Sequence, residues 1–165
     1  MQKCFRGVNR RSYNVIKKVI LRIILEEAIA FEEKAYQFYR SALSRAVMGD
    51  SGRVLKKLLV AELKHRMKLD ELQRTGDLGT IQHSDDLKQD EPAEISVPWP
   101  QINPWSTRNE ILEAALHKEM QAYRYYKNLS ERASLKAARD TFYLLADEEN
   151  RHIEWIQKEM ETQVQ

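Results

Sequence analysis

The stretches AELKHRMKL, residues 61–69, and DEENRHIEWI, residues 147–156, each carry a Glu-x-x-His motif. Each motif begins 30 residues after a lone glutamate, and the second set of residues lies 87 positions after the first. The six residues are Glu32, Glu62, His65, Glu119, Glu149 and His152. Carboxylates and imidazoles bind transition metals, and chance rarely repeats six of them on one offset. The spacing therefore predicts two related half-sites that together hold two metal ions.

Glycine and proline divide the chain into four uninterrupted segments that are rich in helix formers. All four prolines fall between residues 92 and 104, and two glycines mark an earlier break. Thr107 and Glu110 predict a capping box at the start of the third segment, and Ser134 is expected to cap the fourth. The predicted helices cover about 15–47, 53–74, 107–132 and 135–161.

Hydrophobic periodicity and loop length predict how these helices pack. Apolar residues recur at steps of three and four in every segment, and the six candidate ligands lie on the same faces. The breaks near 48–52 and 132–135 are short enough for antiparallel hairpins. The connection over about 75–106 can run the ~30 Å length of a 20-residue helix, which would leave helices two and three parallel. The sequence thus predicts an all-α four-helix bundle, a duplicated helical hairpin with one long crossover.

The crossover and the N-terminal segment lead to two further expectations. Trp99 and Trp105 lie in the proline-rich crossover, and we expect both to anchor it to the bundle. Residues 1–25 carry seven basic side chains and no acidic one. We expect residues 1–14 to form a basic tail and residues 15–165 to form the bundle.

Composition and cysteine content limit the function classes. The net charge is only +2, which gives no support for nucleic-acid binding. Cys4 is the only cysteine, so no disulfide forms within the chain, and this fits a reducing cytoplasm. No apolar run approaches the roughly 18 residues of a membrane span. Charges interrupt the apolar part of the N-terminal stretch, which argues against a secretory signal; an organelle transit peptide stays open as the alternative.

The chemistry of the six residues favours metal over a purely structural role. Four carboxylates bring a charge of −4 into a helical core, where each uncompensated charge costs several kcal/mol. Two divalent cations would neutralise them, and iron, manganese and zinc all suit mixed carboxylate and imidazole ligands. Tyr39 and Tyr126, seven residues after the lone glutamates, can hydrogen-bond the ligand carboxylates. Four neighbouring residues (Glu27, Glu33, Lys64 and Glu148) are expected to be solvated, and His83 and His117 are not expected to be ligands.

At these residues the chain resembles the rubrerythrin branch of the ferritin-like superfamily. The matching segments are Ala30–Tyr39, Glu62–His65, Glu119–Tyr126 and Glu149–His152. The resemblance implies a ferritin-like bundle with two iron ions that reduces hydrogen peroxide or uses dioxygen or peroxide to oxidise ferrous iron. It also implies a homodimer, by analogy with ferritin-like bundles.

Two departures from the rubrerythrin pattern shape the expected activity. Rubrerythrins append a rubredoxin module with two Cys-x-x-Cys pairs, and Cys4 stands alone here; electrons are therefore expected from a separate donor such as a rubredoxin-like protein. Rubrerythrins also carry an additional glutamate where this chain has Ala122. A simpler oxidase or ferroxidase, a non-redox metal-binding module and a partner-binding bundle with a basic N-terminus all stay open.

Overall fold

The computed structural model describes residues 10–45, 51–75, 99–100, 102, 105–133 and 135–162. These residues form four α-helices and contain no β-strand. The helices are α1 (Arg10–Arg45), α2 (Ser51–Thr75), α3 (Arg108–Arg132) and α4 (Lys136–Glu161). The predicted all-α architecture is confirmed. The first helix begins at Arg10 rather than at residue 15, so it takes in part of the segment expected to be a tail; residues 1–9 lie outside the described residues.

The start of α3 is fixed by the capping box that the sequence predicts. The Glu110 backbone N–H donates to the Thr107 hydroxyl at 3.3 Å, and the Thr107 N–H donates to the Glu110 carboxylate at 2.7 Å. This pairing satisfies backbone donors that the first helical turn leaves open. The predicted cap of α4 is wrong in position: its N-cap residue is Leu135, without a side-chain hydrogen bond, and Ser134 lies outside the described residues.

Two buried apolar clusters show how the helices are arranged. One cluster joins Leu25 of α1 and Leu69 of α2 to Tyr126 of α3 and Phe142 of α4. It therefore combines the N-terminal halves of α1 and α4 with the C-terminal halves of α2 and α3. The second cluster combines the opposite halves. Helices α2 and α3 are accordingly parallel, as predicted, and the connection between them must run the length of the bundle. This is the ferritin-like arrangement.

The two tryptophans of the crossover behave differently. Trp99 packs edge-on against Phe31 and Phe38, and its indole N–H donates to the Gln121 side chain at 2.8 Å. Trp99 anchors the crossover, as predicted. Trp105 is 88% exposed, so the prediction that it is a buried anchor is wrong.

The outer faces of the helices are mostly polar, because only one side of each helix faces the core. Among the described residues, no helix contains an apolar stretch long enough to cross a membrane.

Candidate metal centre

A layer of buried polar side chains separates the two apolar clusters at mid-height in the bundle. The six candidate ligands all lie in it, and none is more than 3% exposed. Glu32 comes from α1, Glu119 from α3, and each Glu-x-x-His motif from α2 or α4. Residues three apart on a helix share a face, so each motif directs its glutamate and its histidine to the same point. The sequence spacing is sufficient to predict this convergence.

The side chains form two overlapping groups, and within each group the potential ligand atoms lie within 4.8 Å of one another. Glu62 and Glu149 belong to both groups. The first group adds Glu32 and His65, and the second adds Glu119 and His152. Each group thus has a glutamate and a histidine of its own, and the two groups share two carboxylates. Shared carboxylates of this kind can bridge two metal ions.

The two imidazoles lie side by side and direct the same nitrogen into the site. Their rings are stacked with centroids 5.3 Å apart. Nδ1 of His65 is 3.0 Å from Glu149 Oε1, and Nδ1 of His152 is 3.2 Å from Glu149 Oε2. Nδ1 is therefore the nitrogen that each histidine would offer to a metal ion.

Two tyrosines connect the hairpins across the site. The Tyr39 hydroxyl donates to Glu119, and the Tyr126 hydroxyl donates to Glu32. Both tyrosines are fully buried, and both bonds obey the offset of 87 residues. Each hairpin thus holds the lone glutamate of the other, and the predicted tyrosine–carboxylate hydrogen bonds are confirmed.

Lys118 is a residue of the candidate site that the sequence prediction missed. Its side chain is fully buried, and its Nζ lies 2.7 Å from Glu62 Oε1 and 3.5 Å from both carboxylate oxygens of Glu119. The charge balance drawn from the sequence counted no protein cation in this layer, so it must be revised by one positive charge. A signal was present, because the repeat pairs Lys118 with Phe31, 87 positions earlier.

Glu148 is not the solvated residue that the sequence suggested. Its side chain is only 23% exposed, its Oε2 lies 3.1 Å from Nε2 of His65, and it also pairs with Lys68. The hydrogen bond with His65, together with the contact with Lys68, lowers the pKa of Glu148 to about 2. A carboxylate on the outer nitrogen fixes the ring orientation and leaves Nδ1 directed at the site.

Of the other neighbouring residues expected to be solvated, Lys64 and Glu27 are confirmed and Glu33 is not. Glu33 is half-buried, with its carboxylate paired with Arg66 and Gln37 away from the site. Lys64, Glu27 and His117 are exposed. His83 lies outside the described residues.

Without metal, the site must bind protons. Burial raises the pKa of Glu62 well above its usual value, and burial also raises that of Glu119. For Glu149, burial acts in the same direction, but the Lys118 charge and the surrounding hydrogen bonds outweigh it and lower the pKa. The pKa of His65 is raised well above 6.5 because Glu149 and Glu148 outweigh burial. Metal binding would therefore release protons.

The unused hydrogen-bonding capacity of these residues indicates that they fit metal ions. Several buried oxygen and nitrogen atoms of this layer make no hydrogen bond, although such atoms are costly to bury. They are Glu32 Oε2, both carboxylate oxygens of Glu62, His65 Nδ1 and Glu149 Oε1. Glu62 Oε1 is within ion-pair distance of Lys118, and His65 Nδ1 is within ion-pair distance of Glu149 Oε1, in both cases without hydrogen-bond geometry. Carboxylate and imidazole donors suit iron, manganese or zinc.

Comparison with known proteins supports the same class. The family model described as Rubrerythrin matches residues 110–164, a third of the chain that covers nearly all of α3 and α4. No curated protein matches the chain, and no solved structure matches it. The second hairpin is thus similar to the rubrerythrin family, and the four described helices form a ferritin-like bundle, as the resemblance implies. The matched segment contains Glu119, Glu149 and His152, and the internal repeat relates it to the first hairpin.

The tyrosine bonds give a first prediction, on stability without metal. Tyr39→Phe removes the hydroxyl that donates to Glu119 and leaves that buried carboxylate oxygen with only the 3.5 Å contact with Lys118. We expect the free energy of unfolding of the metal-free protein to fall by about 1–3 kcal/mol, measured by urea denaturation. Tyr36→Phe, half-buried three residues earlier, is the matched control and should change it by less than about 0.5 kcal/mol. Equal effects of the two substitutions would contradict the role of the Tyr39 hydroxyl.

The Glu148 pair gives a second prediction, on pH dependence. The folded-state pKa of Glu148 is about 2, against an ordinary value of 4.5. The ionised carboxylate therefore stabilises the fold above pH 4.5, and this stabilisation is lost as the pH falls from 4.5 towards 2. Glu148→Gln should lower the stability of the metal-free protein at about pH 6 and have a smaller effect at about pH 3, measured by urea unfolding. Glu154→Gln, at an exposed position on α4, is the control. An effect of Glu148→Gln that does not change with pH would contradict the ion pair.

Proposed function

We propose that this protein is a non-haem di-iron oxidoreductase that reduces hydrogen peroxide, or uses dioxygen or peroxide to oxidise ferrous iron. The observation that carries the proposal is the group of unsatisfied carboxylate and imidazole atoms at the centre of the bundle. The match of the second hairpin to the rubrerythrin model favours iron among the metals that these ligands accept. The reaction would help to limit oxidative stress.

The six side chains have distinct tasks in this proposal. Glu62 and Glu149 would bridge the ions, because each belongs to both groups. His65 and His152 would each complete one half. Bound iron would supply the change of oxidation state that the reaction needs. Tyr39 and Tyr126 keep the lone carboxylates oriented, and the two apolar clusters above and below exclude water.

A pocket between α2 and α4 provides a route for a small oxidant. It has a volume of about 480 Å³, and its walls include His65 and His152. Of the other described residues that line it, five are basic and Glu148 alone is acidic. The basic residues are Lys56, Lys57, Lys64, Lys68 and Arg151. Peroxide or dioxygen could therefore approach the site along the histidine side.

The same pocket is where an external electron donor would contact the bundle. Trp155 is 42% exposed, and its ring lies 5.1 Å from the His152 ring. The indole therefore connects one of the proposed ligands to the surface. Basic side chains around it would attract a donor with an acidic face, such as a rubredoxin-like protein. We place this reaction in the cytoplasm, and we expect the protein to act as a homodimer.

A non-redox metal-binding or iron-handling module of the same fold is the second candidate. The observation that favours it is Ala122, which is fully buried where rubrerythrins carry an additional glutamate. Zinc also binds strongly to such ligands. Both candidates use the same six residues, and they differ in whether bound metal changes its oxidation state.

Iron loading tests the proposed function. Metal-free protein loaded with ferrous iron without oxygen should bind up to about two ions per chain. Added peroxide or air should then oxidise that iron, followed by the near-ultraviolet absorbance and by the ferrous iron that a chelator can still trap. Bound iron that stays ferrous would contradict the redox proposal and leave the second candidate. Acid should release the metal, because the ligands must be deprotonated to bind it.

Substitutions identify the residues responsible. Glu62→Ala and His152→Ala should each lower the iron content, whereas Glu33→Ala should not, because its carboxylate pairs with Arg66 instead. Equal iron binding by all three variants would show that the buried layer is not the metal site.

A further inference from the structure

Lys118 makes the two halves of the proposed metal centre unequal. The six candidate ligands obey the repeat of 87 residues, so their residue types alone would give two equivalent half-sites. The residue that precedes each lone glutamate does not obey it: Phe31 precedes Glu32, and Lys118 precedes Glu119. At this position of the repeat, the first hairpin thus carries a buried apolar ring, and the second carries a fully buried ammonium group.

The contacts of Lys118 are with the second half-site. Its Nζ lies 3.5 Å from both oxygens of Glu119, which belongs to the second group alone. It also lies 2.7 Å from Glu62, which both groups share. Within the described part of the chain, no ion pair joins it to Glu32, the carboxylate exclusive to the first group. The ammonium group therefore sits where it neutralises the carboxylates of the second half-site.

The unsatisfied atoms give an independent indication. Among the described residues, the unsatisfied atoms that are exclusive to one group are Glu32 Oε2 and His65 Nδ1, and both belong to the first group; the others belong to Glu62 and Glu149, which both groups share. The residues exclusive to the second group are satisfied, since Glu119 accepts from Tyr39 and Lys118 and contacts His152. The exclusive residues of the first half-site therefore retain open binding capacity, whereas those of the second are hydrogen-bonded to protein groups.

We propose that the Lys118 ammonium occupies the cation position of the second half-site, so that the two metal ions bind with different affinities and in a fixed order. This inference rests on the proposed metal centre. It adds that Lys118 determines how many metal ions the centre holds. The first ion binds among Glu32, Glu62, His65 and Glu149. The second ion binds only when Lys118 withdraws from Glu62 and Glu119, because like charges repel strongly in a buried site.

The surroundings of Lys118 give the withdrawn ammonium a place to stay. Its Nζ lies 5.3 Å from the centre of the Tyr39 ring and 6.0 Å from that of Phe31. Aromatic faces attract cations at such distances. The two rings already lie within this range of the ammonium, so they can stabilise its charge when it leaves the carboxylates.

Titration with Co²⁺ without oxygen tests the inference, because cobalt reports its ligands by visible absorption. In the natural protein, the first equivalent should bind about tenfold or more tightly than the second, which corresponds to about 1.4 kcal/mol. Lys118→Met keeps the length of the side chain and removes the charge, so the two affinities should become similar. Lys127→Met, at an exposed position on the same helix, removes the same charge far from the site and should retain the difference.

Two histidine variants identify which half-site fills first, with Lys118 in place. His65→Ala should abolish the tight step, whereas His152→Ala should retain one tightly bound ion and lose the second. This pair decides the order of filling even if Lys118→Met does not fold, as judged by circular dichroism.

The outcomes separate the two proposals. Two equally tight ions in the natural protein, or loss of the tight step in His152→Ala rather than in His65→Ala, would overturn the role of Lys118 and leave the di-metal centre standing. No cobalt binding by the natural protein would overturn both.

Discussion

Four carboxylates at the centre of a helical bundle are the constraint on which the rest of this structure depends. An isolated ionised group in such a position costs several kcal/mol, and Glu32, Glu62, Glu119 and Glu149 are all completely buried. They are tolerated only if cations or protons accompany them. Without metal, the raised pKa of Glu62, the raised pKa of His65 and the charge of Lys118 provide that balance. The layer is therefore built around positive charge, whether the charge comes from the protein or from metal ions.

The internal repeat of the sequence places these groups at the centre of the bundle. Two helical hairpins related by 87 residues place one glutamate and one Glu-x-x-His motif each at the same height, and apolar clusters close the layer on both sides. The long crossover makes α2 and α3 parallel, which brings the two halves together around the centre. The tyrosine bonds then cross from hairpin to hairpin, so the layer that carries the proposed chemistry also connects the halves of the fold.

Most of the fold and of the six-residue site could be predicted from the sequence, because both follow from spacing. Steps of three and four residues define a helix face whatever the rest of the structure does, and Glu62 and His65 must share it. Lys118 and Glu148 could not be found in that way. Lysine and glutamate are mostly exposed, and neither lies on the ligand positions of the repeat. The prediction for Trp105 was wrong for a related reason. A residue in a long connection between helices follows no helical periodicity, so the sequence does not indicate whether its side chain is buried. The departures from the repeat indicate these two residues better. When the two halves are aligned, Lys118 is aligned with Phe31, and Glu148 is aligned with Ala61.

The most direct test of this account is the transition-metal content of the folded protein, purified without chelators from the cell that makes it. The account predicts at least one such ion per chain, rising towards about two when iron is supplied, with the metal lost when the buried glutamates are replaced. A stable, fully folded bundle that retains no transition metal under any loading condition would contradict it, since protons and Lys118 alone would then suffice to hold the carboxylates inside.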